Sequence, residues 1–278
     1  MTTDTTAMYE FATSLAENGD TETAIEILMT TLKQCAESPS EHGDVRQIVN
    51  GITHIMRITE DFTTHEQTIA NSYNLFDSFN PSSHNTLDVG NLLATVYEQS
   101  GRLDEAEYLY RKLCDRAVST YPDDPATAMS LNNLANILET VEKKSEAEDL
   151  YIRALGILKS CKGSPSTIAL LLNNIAYLKK GNGQLDEAIH LYEEAFELIH
   201  ESDDSSDVLT SISTAFNLSR AHEESDIPLS TYWCEMGLRI SEEVLESDHH
   251  LVELLNKQLN ELQSISQNYQ RDLSTHTP

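Results

Sequence analysis

A chain of 278 residues, 39% hydrophobic and 23% charged, has the make-up of a folded protein with a substantial core, which excludes disorder throughout. Its 46 Asp and Glu against 18 Lys and Arg give a formal net charge of -28. Such a field repels nucleic acid and anionic lipid and attracts basic segments; the alternative is that the acid serves solubility alone.

At the N-terminus, MTTDTTAMYEFATSLAENGD has neither a basic start nor an apolar run, so it does not read as a secretory signal. No stretch of about 18 apolar residues occurs further along, and no membrane insertion is expected. The four cysteines, Cys35, Cys114, Cys161 and Cys234, form no C-x-x-C pair. They read as reduced helix residues, and a cytoplasmic location is expected.

A fixed stride organises the chain. Ala94, Ala135 and Ala176 stand 41 residues apart (135 − 94 and 176 − 135). Each is followed after 12 residues by a second alanine, Ala106, Ala147 or Ala188, and four residues later by Tyr110, Tyr151 or Tyr192. In chain order, the pattern predicts a first helix pair near 3–38, with Phe11-Ala12, a turn at Gly19, then Ala24 and Leu28. A second pair, near 43–79, keeps Ile52 and Ile69 but carries Thr53 and His65 in place of the two alanines. The third pair is placed at 84–120. Leu92, Leu93, Val96 and Tyr97 share one face of its first helix, and Leu103, Ala106, Leu109, Tyr110 and Leu113 one face of its second.

Pairs near 125–161 and 165–201 repeat the arrangement, the latter with a turn at Gly183. A sixth, near 206–246, fits with a longer lead-in and a shortened turn, through Leu218-Ser219, Ser230, Cys234 and Gly237. Leu251, Leu254, Leu255, Leu259 and Leu262 then predict a capping helix over 247–271, followed by a flexible tail at 272–278. Glycines in the turns tolerate positive φ. Pro39, Pro81, Pro122, Pro125 and Pro165 mark the joins, where a proline suits a loop or a first helical turn. No alternating β-branched run argues for a strand. A single helix pair cannot bury its apolar faces alone, so the pairs are expected to stack as an all-α solenoid.

These residues resemble the tetratricopeptide repeat family. Its large-small pair in the first helix matches Phe11-Ala12, Leu93-Ala94, Leu134-Ala135 and Ile175-Ala176, and its alanine-aromatic pair matches Ala106/Tyr110, Ala147/Tyr151 and Ala188/Tyr192. The 41-residue step and the stretch PDDPATAMSLNNLA from Pro122 look like the kinesin-light-chain-like subclass. The resemblance implies a right-handed superhelix of about six hairpins whose first helices line a concave groove for a protein or peptide.

On those first helices asparagine recurs. Asn50, Asn91, Asn132 and Asn173 form one row at the same stride, and Asn133, Asn174 and Asn217 a second. Asparagine is a mediocre helix former, so its recurrence in mid-helix calls for a reason. An amide offers donors and an acceptor that could pair with the backbone of an extended ligand. The alternative is that these amides bond to neighbouring helices and fix the packing. Tyr177, Lys180 and Arg220 occupy flanking positions suited to setting specificity, and a ligand with some basic character fits the acid excess. A structural scaffold or homo-oligomer, or a chaperone-like holder of a basic client, stands beside the binding-module reading.

Signs of chemistry are weak. There is no G-x-x-x-x-G-K-[ST] loop and no H-E-x-x-H. His249-His250 with Glu253, and Glu187 with His190, are single pairs. Asp123-Asp124 and Asp203-Asp204 read as loop and helix-start residues, and Trp233 as core beneath the cap. No catalytic residue, metal site or cofactor is expected.

Overall fold

A computed structural model describes residues 5–38, 45–200, 208–242, 244–245 and 249–275. Among them are thirteen helices and no strand: α1 (Thr5–Glu17) and α2 (Thr21–Glu37), α3 (Arg46–Thr59) and α4 (Glu66–Phe79), α5 (His84–Gln99) and α6 (Leu103–Thr120), α7 (Pro125–Thr140) and α8 (Lys144–Cys161), α9 (Pro165–Gly181) and α10 (Leu185–His200), α11 (Val208–His222) and α12 (Ile227–Glu242), and finally α13 (His250–Thr275). Pro39, Asp203-Asp204, the expected pair starts at 3, 43 and 206, and the tail past 275 lie outside the described residues. No Pro or Gly interrupts Arg271–Thr275, and α13 runs on beyond the expected end at 271.

The chain divides within α8 into two units, residues 1–150 and 151–278. In the first, α1 packs on α2 and α5 on α6, while α2 meets α3, α4 meets α5 and α6 meets α7. In the second, α9 packs on α10 and α11 on α12, while α10 meets α11 and α12 meets α13.

Left-handed backbone residues recur at the repeat stride. Gly19, Glu60, Gly101, Glu142 and Gly183 have φ of 87°, 54°, 76°, 61° and 79°. Each closes the first helix of its pair. At four of them the following residue bonds back to a carbonyl five residues earlier: Asp20 N to Leu15 O, Arg102 N to Tyr97 O, Lys143 N to Leu138 O and Gln184 N to Lys179 O. This is the Schellman closure, which satisfies the last helical carbonyls and reverses the chain. Glycine adopts it without strain. Glu60 and Glu142 do so at the steric cost of a Cβ.

The reversal lets two helices cross closely, and the residues at the crossings are small. Ala12, Ala24, Ala94, Ala106, Ala135, Ala147, Ala176 and Ala188 are wholly buried. In the sixth pair serines take this place. Ser230 Oγ donates to Ser219 O at 2.8 Å, with both side chains buried. Tyr110, Tyr151 and Tyr192 are buried as the large residues that fill the space beyond the crossing. At the C-terminal end Leu255 and Leu262 of α13 join Ile212 and Cys234 in one cluster. Gly237 makes that approach possible, since a Cβ there would lie 2.9 Å from Leu255 Cδ2.

Successive second helices are stapled by ion pairs. In the first unit Arg102 reaches Glu66 at 2.7 Å, Lys112 reaches Asp77 at 3.2 Å, and Arg111 reaches Glu146 at 2.6 Å. Arg116 also pairs with Asp77. In the second unit Lys159 reaches Glu194 at 2.9 Å. Burial pushes the Asp77 carboxyl up, but the bonds and charges of Arg116 and Lys112 more than offset this and leave it below its ordinary 3.8.

Both the turns and the staples can be tested by substitution. Glu142→Gly relieves the left-handed strain and loses only an exposed pair with Lys144. It is expected to stabilise by about 1 kcal/mol, and Gly101→Ala to cost a similar amount, read by thermal unfolding under circular dichroism. For Asp77, a depressed carboxyl contributes stability above 3.8 that is lost as pH falls through the lowered value. Asp77→Asn is therefore expected to cost about 1.5–3 kcal/mol at neutral pH and progressively less in acid, measured by denaturant titration across the pH range.

Candidate functional site

In the first unit α1, α3, α5 and α7 neighbour one another in that order, as α9, α11 and α13 do in the second. Each unit thus has a side built from first helices, and the asparagine rows lie on them.

The first row is not equally exposed. Asn50 on α3 is open to solvent, and Asn91 on α5 is half-buried, with its Oδ1 enclosed and unpartnered. Asn132 on α7 and Asn173 on α9 are 3% and 8% exposed, so these two amides face between helices more than outward. Asn132 Nδ2 lies 3.4 Å from Asn133 Oδ1. Asn173 Nδ2 donates to Ala169 O at 3.0 Å and to Thr214 Oγ1 of α11 at 2.8 Å, which ties α9 to α11. Asn173 Oδ1 has no partner. The second row, Asn133, Asn174 and Asn217, is half-buried throughout.

Around the second row in the second unit, Tyr177 stands 58% exposed on α9. One turn on, half-buried Lys180 donates from Nζ to Arg220 O of α11 at 2.9 Å. Arg220 is exposed, with Nε 3.6 Å from Glu223 and Nη1 donating to Gln258 Oε1 of α13 at 3.4 Å. Burial pushes the Lys180 ammonium below its ordinary value, Arg220 adds to this, and Glu223 and Glu224 oppose it.

The structure thus gathers Asn50, Asn91, Asn132 and Asn133 on the first helices of one unit, and Asn173, Asn174, Asn217, Tyr177, Lys180 and Arg220 on those of the other. Two participants were not singled out in the sequence. Thr214 stands one stride beyond Asn173, so continuing the arithmetic of the row would have found it. Gln258 lies in the cap, outside the repeat, and no periodic signal points to it.

On α5 a chain of polar groups runs down the same side. Thr95 Oγ1 donates to Asn91 O at 3.0 Å and lies 3.0 Å from the Tyr110 hydroxyl, which lies 3.3 Å from Glu98 Oε2. Burial pushes the Glu98 carboxyl up, with the Tyr110 bond and Arg57 opposing it. Burial also raises the Tyr110 hydroxyl, as does the Glu98 charge.

Two of the buried cysteines, Cys35 and Cys234, offer no activated nucleophile. The thiols of Cys35 and Cys234 are pushed up to about 11 by burial, which keeps them protonated at neutral pH. Among the described residues no three His, Cys, Asp or Glu side chains are placed to hold a metal, and no helix is long and apolar enough to cross a membrane.

The tetratricopeptide repeat model matches residues 83–160, and a second model of the same description matches 168–201. No curated protein matches the sequence. Among solved structures, BtubC (BKLC) from P. vanneervenii is similar at 18% identity and a TM-score of 0.66, over 89% of this chain and 94% of that one. A singly substituted form of a Podosopora anserina protein, described as a kinesin light chain with nearly identical TPR-like repeats, is similar at 17% identity and a TM-score of 0.52, over 86% and 94%. A Rap protein complexed with Competence and Sporulation Factor is similar at 9% identity and a TM-score of 0.57, over 92% and 74%. At these identities the likeness is one of fold.

The Asn173–Thr214 bond gives a direct measure of how far the amides serve packing. A double-mutant cycle with Asn173→Ala and Thr214→Val is expected to show a coupling of about 0.5–1.5 kcal/mol in unfolding free energy. Additive single effects would mean that the bond adds nothing.

Proposed function

Since the chain belongs to the tetratricopeptide repeat family, a fold that generally mediates protein–protein interaction, we propose that it is a binding module that holds a peptide or protein segment against the first helices of its repeats. The observation that carries this reading is the pattern of amides. They recur on neighbouring first helices, and their burial is graded: the row at Asn132 and Asn173 turns inward, while Asn133, Asn174 and Asn217 stay half-buried. Amides at that depth can pair with the backbone of an extended segment irrespective of its side chains. The inward row stiffens the surface that presents them.

Asn91 and Asn173 add enclosed carbonyl oxygens that accept no protein hydrogen bond. Both atoms are shut off from solvent, so they belong to the packing of the helices and are not offered to a ligand. The similar fold of the Rap protein is one solved with a bound factor.

The charge supports a partner of partly basic character. Acidic groups outnumber basic ones 46 to 18, and many of the basic side chains are committed to ion pairs between repeats. The remaining field would accelerate encounter with a cationic segment and weaken with salt. No catalysis is assigned, and a reducing, cytoplasmic setting suits cysteines that form no disulfide among the described residues.

A phage-displayed peptide library selected on the full chain tests the reading. Asn133→Ala in one unit, and Asn174→Ala with Asn217→Ala in the other, are each expected to weaken selected peptides about tenfold while thermal stability holds. Affinity is expected to fall from low to high salt. Unaltered affinity in all of these variants would overturn the assignment.

A further inference from the structure

A second helix rests on two neighbours, its own first helix and the second helix of the pair before it. In the first unit α6 packs on α5, and its Arg102 and Lys112 pair with Glu66 and Asp77 of α4, which itself meets α5. In the second unit α12 packs on α11 and sets Trp233 against Phe196 of α10, ring centroids 5.0 Å apart, while α10 meets α11. α12 and α13 pack together and make the next seat of this kind. α13 does not turn back to fill it. α5 and α9 close after 16 and 17 residues, and α13 runs on for 26 without a left-handed residue. Among the described residues no second helix follows.

The empty seat is a groove of about 670 Å³, walled by Ile227, Pro228, Thr231, Tyr232 and Glu235 at α12 and Ile265 of α13. Tyr232 and Ile265 are large apolar residues left 47% and 43% exposed. The register shows what this face is for. Thr231 and Glu235 stand one and five residues past the crossing residue Ser230, as Glu107 and Arg111 stand past Ala106. Glu107 and Arg111 are the groups that reach forward to the following pair, to Lys143 at 2.7 Å and to Glu146 at 2.6 Å. Glu235 occupies the forward-reaching position with nothing to reach. It is exposed and joins no ion pair among the described residues. The other charged residue lining the groove, Asp226, is also acidic and caps α12, accepting from Leu229 N at 3.0 Å.

We propose that the groove between α12 and α13 docks an amphipathic helix of a partner protein, laid where a seventh second helix would lie. Its apolar side chains rest on Tyr232 and Ile265, and a Lys or Arg pairs with Glu235. The walls are helices, whose backbone groups are bonded internally, so an extended segment would find no edge to pair with. A helix instead offers side chains at i, i+3, i+4 and i+7 to an apolar groove. The acidic rim selects a basic helix, and a net charge of -28 opposes a second copy of this chain in that place. The contact uses none of the asparagines and is independent of the groove on the first helices.

The test uses the full chain and a phage-displayed library of amphipathic helices, selected with excess Ile265→Asp chain as soluble competitor. Selected helices are synthesised and titrated by fluorescence anisotropy. Ile265→Asp is expected to weaken them about tenfold or more, and Glu235→Lys to weaken them as well. Changing the helix's Lys or Arg to Glu should restore binding on Glu235→Lys and lose it on wild type. Asn174→Ala with Asn217→Ala should leave affinity unchanged. Melting curves confirm that the variants are folded; if Ile265→Asp is not, Glu235→Lys serves as competitor and the charge exchange decides alone. A library that yields no helix dependent on these two positions would overturn the proposal. So would a charge exchange without recovery, or sedimentation showing a wild-type dimer that Ile265→Asp or Glu235→Lys dissociates.

Discussion

Two antiparallel helices can cross closely only where neither carries more than a small side chain, and the turn before the crossing must reverse the chain in one left-handed residue. The sequence meets both demands at a stride of 41 residues. The left-handed positions at 19, 60, 101, 142 and 183 and the wholly buried alanines of the crossings keep the same register. Much of the remaining fold depends on that coincidence. Tyr110, Tyr151 and Tyr192 have a fixed gap to fill because the crossing fixes it. Second helices sit at a separation that Lys and Arg can span to Asp or Glu of the neighbouring repeat. First helices come side by side, so that residues one stride apart become neighbours. Asn173 and Thr214 are the clearest case, since 41 residues of chain separate two groups 2.8 Å apart.

The same geometry sorts the polar residues into two duties. An amide turned toward the adjacent first helix is drawn into packing, as at Asn173. An amide one residue further on lies about 100° around the helix and stays half in solvent, as at Asn174. A repeat protein can thus carry consecutive asparagines in different settings, one turned into the packing and the next left half-exposed. Several cations are spent on staples between second helices.

Much of the fold was legible in the sequence because the stride is short and the marks are chemically plain. The alanines, the tyrosines and three turn glycines pointed to helix pairs, and the described helices are paired as they required. Glu60 and Glu142 were not legible, since glutamate in a left-handed turn leaves no compositional trace and only the stride betrays it. The sixth pair was read with a shift, and the Ser219–Ser230 contact shows the physical basis: two small hydroxyl residues can replace two alanines at a crossing if the hydroxyl finds a carbonyl. The depth of each asparagine was not legible either. Periodicity places a residue on a face, but whether that face meets solvent or the next helix depends on the angle between repeats. Gln258 is hidden for another reason, because a cap lies outside the pattern and its contacts obey no stride.

The central claim is that the first helices of each unit present amides to an extended segment. It is tested most directly by following the asparagine side-chain NH2 signals in a two-dimensional nitrogen–proton NMR spectrum as a library-selected peptide is added. The account predicts that Asn133, Asn174 and Asn217 shift progressively and saturate, while Asn71 and Asn74 on α4 stay in place. Shifts confined to α4 and the other second helices, with the first-helix amides unmoved at saturation, would contradict it.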